Sequence, residues 1–283
     1  MLDRLDHLVV GVRDLAAATD AYTRLLGRRP SWRGSHPGMG TANVLFRLEN
    51  TYLELLGIEG EGPFAALLDE QLANRGEGLV ALAFGTPDAD ACVRELRDRG
   101  LPAAEPVDQG GVDAVTRAER RWRNVFLDPA HTRGVRVFAI EHRSGTLPDA
   151  VPVGEERAAV RGVDHVVVMT ADADGAIALC RDRLGLRLAL DRTFEPWGMR
   201  LVFFRVGGVT VEIAQPLRGS GGSDRLWGIS WRVPDVDAAR ERAVSAGFDV
   251  SEVRPGRRPA TRVCTVRDGT HGVATLLLEK AEP

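Results

Sequence analysis

The stretch Asp6-His7-Leu8-Val9-Val10-Gly11-Val12 is followed, 158 residues further on, by Asp164-His165-Val166-Val167-Val168-Met169-Thr170. The same offset relates Asp14 to Asp172, Leu26-Gly27 to Leu184-Gly185, Phe46-Arg47 to Phe204-Arg205 and Glu54 to Glu212. Both copies keep a His-to-Glu separation of 47 residues, so the chain carries an internal duplication.

Each copy reads as a βαβββ unit. A strand from Asp6 or Asp164 leads through Asp14 or Asp172, an expected helix N-cap, into an amphipathic helix that stops at Gly27 or Gly185. After a loop come two hairpin strands, Ala42 to Leu48 with Thr51 to Leu56, and Leu201 to Val206 with Val209 to Ala214. A fainter unit follows each strong one. Gly78 to Phe84 reads as a strand, Asp88 to Arg99 as a helix, and Asn124 to Leu127 with Val135 to Ile140 as a hairpin; Trp227 to Val233, Val236 to Ala246, and Arg262 to Val266 with Val273 to Leu278 repeat that order. The reading is an α+β fold of four βαβββ modules in two domains with curved mixed sheets. Domain one spans 1–143, a polar linker rich in Pro and Gly spans 144–159, and domain two spans 160–283.

Composition bounds the function. The chain has 283 residues, 44% hydrophobic and 27% charged, enough to bury more than one core without a staple. A net charge of −3 gathers neither nucleic acid nor an anionic membrane, so neither is an expected partner. Lys280 is the only lysine beside 36 arginines, a codon bias that points to a GC-rich bacterial genome. Cys92, Cys180 and Cys264 form no CxxC pair, which fits a reducing cytoplasm, and the apolar run Leu8 to Val12 is too short for a leader or a membrane span. The expected partner is a small molecule, bound by a monomer or homodimer.

Side chains alternate across a strand, so His7 shares a face with Val9 and Gly11 while Leu8, Val10 and Val12 pack under the helix. A two-residue hairpin loop pairs Leu48 with Thr51, Arg47 with Tyr52 and Leu45 with Glu54, putting Arg47 and Glu54 on one face. The same construction places Phe203 and Arg205 beside Thr210 and Glu212. A carboxylate in so apolar a strand needs a metal, an arginine or a hydrogen-bond network, and His plus Glu suits Fe(II), Mn(II), Ni(II) or Zn(II).

Asp-His-apolar on the first strand and Glu on the fourth resemble the vicinal oxygen chelate superfamily, which includes glyoxalase I, methylmalonyl-CoA epimerase, extradiol dioxygenases and fosfomycin or bleomycin resistance proteins. Ser35 to Asn43, followed by Tyr52-Leu53-Glu54-Leu55, further resembles bacterial glyoxalase-like domain proteins. The resemblance implies a concave sheet holding a divalent metal that chelates two adjacent substrate oxygens. It assigns His7, Glu54, His165 and Glu212 as metal ligands, with Glu54 and Glu212 also catalytic. Arg47, Arg205, His36, Trp197 and Phe203 are the expected substrate-binding residues.

Modules two and four depart from that pattern. Ala81 and Gly228 stand where histidines belong, and Phe138 and Leu276 where glutamates belong, while Glu141 and Glu279 fall on the opposite face, expected to be solvated. If neighbouring modules pair, each cavity keeps one His and one Glu. Modules one and three could instead face each other in a quartet, or His36 or Glu195 could complete a site. His131 and His271 read as hairpin residues, His142 as solvated, and Gly219 to Ser223 as a flexible connection with no phosphate cradle. The leading expectation is a metal-dependent lyase or isomerase on a molecule with adjacent oxygens; the alternatives are a metal-free, drug-sequestering binder and, further off, an extradiol-type dioxygenase. The second copy has a slight edge as the active one, from Phe203 and Trp197.

Overall fold

The computed structural model describes residues 1–218 and 222–281, so Gly219, Ser220 and Gly221 of the glycine-rich run lie outside the described residues. Module one comprises β1 (Arg4–Gly11), α1 (Leu15–Leu26), β2 (Trp32–His36), β3 (Thr41–Arg47) and β4 (Tyr52–Ile58). Helix α2 (Pro63–Arg75) leads into module two, with β5 (Gly78–Gly85), α3 (Ala89–Asp98), β6 (Val107–Asp113), β7 (Glu119–Phe126) and β8 (Val137–Ser144). Module three has β9 (Gly162–Met169), α4 (Ala173–Ile177) running into a π-helical turn (Ala178–Arg183), β10 (Arg187–Phe194), β11 (Met199–Val206) and β12 (Val209–Pro216). Module four has β13 (Arg225–Arg232), α5 (Val236–Ser245), β14 (Arg254–Pro255), β15 (Thr261–Val266) and β16 (Ala274–Lys280).

Neighbouring modules pair. Strand β1 runs antiparallel to β5 and β9 antiparallel to β13, each joint continuing a parallel β1·β4 or β9·β12 ladder. The quartet in which modules one and three face each other is therefore overturned, because β1 and β9 belong to different sheets. The first sheet closes into an eight-stranded barrel in the order β1-β4-β3-β2-β6-β7-β8-β5, with β2 meeting β6 at Gly34↔Asp113 and Ser35↔Val112. The second runs β10-β11-β12-β9-β13-β16-β15-β14 and stays open. The difference has a local cause. Where β6 supplies seven residues, β14 has only Arg254 and Pro255, and proline lacks the donor a further ladder needs.

The helices start as the sequence dictates. Asp14, Asp88, Asp172 and Asp235 each accept a hydrogen bond from the backbone N–H three residues on, at 2.9, 2.8, 3.0 and 3.0 Å. Gly27 ends α1 in the left-handed region, φ 63°, which a side chain would strain. Leu8, Val10, Leu53 and Leu55 are buried against Tyr22, Leu25 and Leu26 of α1 in the main core, and burying each such leucine contributes about 1.5–3 kcal/mol. Val9, on the other face, joins Leu68, Leu72, Val80 and Ala81 in a separate cluster under α2.

Two glutamates expected in solvent are instead helix caps. Glu141 is buried and accepts from the Ala89 N–H at 3.0 Å, and half-buried Glu279 accepts from the Val236 N–H at 2.9 Å. Each meets the positive end of its helix, which compensates for desolvation. The segment 144–159 is fastened to module one: the buried Arg28 guanidinium donates to the carbonyls of Ala150, at 2.9 Å, and Val160, and pairs with Glu156 at 2.6 Å.

All three cysteines are free and buried. Desolvation pushes the Cys92 and Cys264 thiols up to about 11 and Cys180 to about 12. Since the thiolate is the nucleophile, folded protein at neutral pH should take up no iodoacetamide while urea-unfolded protein takes up three equivalents; rapid labelling of the folded chain would contradict this burial. Among the described residues no helix is long and apolar enough to cross a membrane.

Candidate functional site

The barrel encloses a cavity of about 440 Å³ whose walls come from all eight strands and α2. Alternation decides who faces it: His7 and Val9 from β1, Asn43 and Leu45 from β3, Tyr52, Glu54 and Leu56 from β4, and Arg120, Trp122, Asn124 and Phe126 from β7. The hairpin register is Arg47↔Tyr52 and Leu45↔Glu54, as the two-residue loop dictates. Helix α2 lays Phe64, Leu67, Leu68 and Gln71 against the barrel.

One continuous hydrogen-bond array forms the polar wall. His142 Nε2 lies 3.0 Å from Asp6 Oδ2, and Asp6 Oδ1 lies 2.9 Å from His7 Nδ1. His7 Nε2 then faces Glu54 Oε2 at 3.3 Å, and Asn43 donates to Glu54 Oε1 at 2.8 Å and to His36 Nε2 at 3.2 Å. His36 Nδ1 is 2.9 Å from Thr41 Oγ1, and its Nε2 is 3.9 Å from Glu54 Oε1. His7 also stacks on Tyr52, ring centroids 4.5 Å apart, and meets the edge of Phe138 at 5.4 Å.

The charges of this wall are settled by competition between burial and bonding. Burial alone would raise Glu54, yet His7 and Asn43 hold it at about 2. Burial would lower His7, yet Asp6 and Glu54 raise it to about 8. Burial would raise Asp6 too, but its two histidines keep it far below the carboxylate range. His7 and Glu54 therefore form an ion pair at neutral pH, whereas burial lowers His36 and leaves it neutral.

The second sheet repeats part of this geometry. Asp164 Oδ2 lies 2.9 Å from His165 Nδ1, and His165 Nε2 lies 3.5 Å from Glu212 Oε2. The offset of 158 maps Asn43 onto Leu201 and His36 onto Phe194, so Glu212 has lost the donors that hold Glu54. Its carboxyl is accordingly pushed up by burial, against the pull of His165 and Arg257.

The expected substrate residues divide. His36 borders the cavity. Arg47 shares the glutamate's face but binds the Leu147 carbonyl and Asp149, at 3.2 Å from the latter, because segment 144–159 passes over it. Arg205 is exposed and donates to Thr210 Oγ1 at 2.7 Å, so neither arginine neutralises its glutamate. Trp197, 38% exposed, stacks on Phe194 at 4.4 Å under Arg257, and Phe203 packs with Leu201 and Val167 on the open sheet. Glu195 is exposed and completes nothing, His131 is exposed, and His271 bonds Glu77 at 2.9 Å. His142 is not solvated but part of the array. The cavity of about 440 Å³ lies in the first copy, while Phe203 and Trp197, which gave the second copy its slight preference, lie on the open sheet.

The donors do not make a metal centre of the family's kind. Catalytic zinc sites draw three protein ligands, and here each sheet offers one His and one Glu already paired with each other. His36, the nearest third donor, accepts from Asn43 instead. Among the described residues no group of three or more His, Cys, Asp or Glu is placed to hold an ion.

The sequence reading assigns no site role to Asp6, Asn43, Arg120, Trp122 or Asn124. For β7 the signal is present: in Glu119 to Phe126 every second residue from Arg120 is bulky or amidic, and the strand begins at Glu119 rather than at Asn124.

The family model described as glyoxalase-like domain matches residues 5–159, and that of the glyoxalase/bleomycin resistance protein/dioxygenase superfamily matches 164–265. An ethylmalonyl-CoA/methylmalonyl-CoA epimerase of Cereibacter sphaeroides is 32% identical over 110 residues, 38% of this chain and 80% of the relative. The mitochondrial methylmalonyl-CoA epimerase of Homo sapiens is 30% identical over 101 residues, 35% of this chain and 56% of that protein. Among solved structures, a mutant 4-hydroxymandelate synthase from Streptomyces coelicolor superposes with a TM-score of 0.72 at 14% identity, covering 100% of this chain and 94% of that one. A hypothetical protein from Staphylococcus aureus gives 0.67 at 9% identity, covering 98% and 99%.

Proposed function

Taking as premise that the chain belongs to the glyoxalase-like domain family of the vicinal oxygen chelate superfamily, we propose that its closed barrel binds a small, mostly apolar organic molecule without a protein-held metal. One observation carries this reading: the cavity of about 440 Å³ has aromatic and aliphatic walls, and its single carboxylate, Glu54, has both oxygens engaged. A glutamate held at about 2 is a poor base at neutral pH, so the wall serves orientation better than proton abstraction. A fluorescent apolar probe, N-phenylnaphthylamine, should bind at one equivalent and be unaffected by chelator. Ala81→Phe, which fills the cavity from β5, should weaken it by about 10-fold or more; binding indifferent to that change would remove the barrel as the site.

A second reading, a divalent-metal lyase or isomerase, draws support from the recurrence of Asp-His-Glu in both sheets, from relatives named as epimerases, and from the raised Glu212. Incubation with Mn(II), Fe(II), Ni(II) or Zn(II) separates the two. Retention of less than about a tenth of an equivalent favours the first reading; near-stoichiometric ion that disappears in Glu212→Gln or His165→Ala, or in Glu54→Gln or His7→Ala, favours the second and names its sheet.

A further inference from the structure

Arg120 on β7 is 7% exposed and borders the cavity, yet among the described residues no carboxylate pairs with it. The carboxylates of the polar wall are taken: Glu54 by His7 and Asn43, and Asp6 by His7, His142 and Arg4, the last at 3.3 Å. What surrounds the guanidinium is aromatic. It stands 5.6 Å from the Trp32 ring centroid and 5.9 Å from those of Tyr52 and Trp122. Together with the Tyr52 hydroxyl, such cation–π contacts return less than the desolvation of a buried ion costs, and among the described residues no opposite charge offsets it. Arg120 Nε has no hydrogen-bond partner, nor has Asn124 Oδ1, two side chains further along the same face of β7. Guanidinium is never deprotonated at physiological pH, so relief has to come from an anion.

We infer that Arg120 is the anion subsite of the barrel, and that the ligand is an organic anion whose carboxylate, or a comparable oxyanion, pairs with this guanidinium while a flat apolar body fills the space toward α2. This rests on the barrel being the binding site. The planar donor fork suits a carboxylate bidentately, and Tyr52 and Trp122 offer faces for a flat body beside it.

Two probes of one skeleton test it: anilinonaphthalene sulfonate, which carries the anion, and neutral N-phenylnaphthylamine. Wild-type protein should bind the sulfonate roughly 10-fold to 100-fold more tightly. Arg120→Met should abolish that preference, the sulfonate losing far more affinity than the neutral probe, while Arg120→Lys keeps part of it. Equal binding of both probes by the wild type, or a preference that survives Arg120→Met, overturns the anion subsite and leaves the cavity standing. Binding of neither probe overturns the barrel as the site, and the inference with it. If Arg120→Met does not fold, the wild-type preference and the Arg120→Lys variant decide.

Discussion

Asp6→Ala is expected to destabilise the protein by about 3–5 kcal/mol, the cost of leaving a buried charge without its partner. Asp6 is 6% exposed, and it is the anion against which His7 and His142 are both set. Removing it leaves His7 sharing one carboxylate, Glu54, and strips Arg4 of its inner partner. For a chain of this size the loss corresponds to a fall in Tm of about 10 °C. Asp164→Ala is the matched control, because among the described residues Asp164 bonds only His165 and the half-exposed Arg258. Thermal unfolding of the two variants side by side checks this, and an Asp6→Ala no less stable than Asp164→Ala would refute the array as a buried unit.

The second expectation is a pH window. The folded-state value of His7, about 8, lies above its ordinary 6.5, so its contribution is complete below pH 6.5 and is lost as pH rises through 8. Glu54 is depressed to about 2 from 4.5, so its contribution is complete above pH 4.5 and is lost as pH falls through 2. Stability from the pair is therefore greatest between about pH 4.5 and 6.5. Between pH 6 and pH 9 the imidazolium accounts for about 2 kcal/mol of decline at most. Urea unfolding of the wild type and of His7→Gln at both pH values isolates it: the difference between the two proteins should shrink toward pH 9. A constant difference would mean that His7 is neutral in the folded state.

What could be seen in the chain beforehand was what duplication and alternation encode. The recurrence of His and Glu at one offset, the aspartate caps Asp14 and Asp172 and the hairpin register all follow from local rules acting on a few neighbouring residues. What stayed hidden depends on pairing between distant strands. His142 meets Asp6 across 136 residues because β5 joins β8 to β1, and Arg120 meets Tyr52 across the ring that β2 and β6 close. Strand β2 has one apolar residue, Trp32, and β10 is an exposed edge whose pattern charges interrupt, while α2 is weakly amphipathic because it straddles the cavity rim, with Leu68 buried and Leu67 at 45% exposure. Arg47 went astray for a different reason. Alternation put it on the right face, but a carbonyl and a carboxylate from the segment 144–159 were nearer than Glu54.

The unequal closure of the two sheets also determines where another chain could add a strand. A ring of eight strands has no free edge strand, so the first half offers a newcomer only the stretches its joints leave unpaired, as where β2 and β6 share two residue pairs. The second half keeps two free edges, and they are guarded unequally. Strand β14 is two residues long and ends in proline, too short to template anything. Strand β10 is eight residues long and mostly exposed, with Arg187, Asp191 and Arg192 interrupting its apolar positions and Asp191 held by Arg200 at 2.8 Å. Neutralising those charges would turn β10 into the aggregation-prone flank of the molecule, while the same substitutions on any barrel strand would meet a sheet already complete.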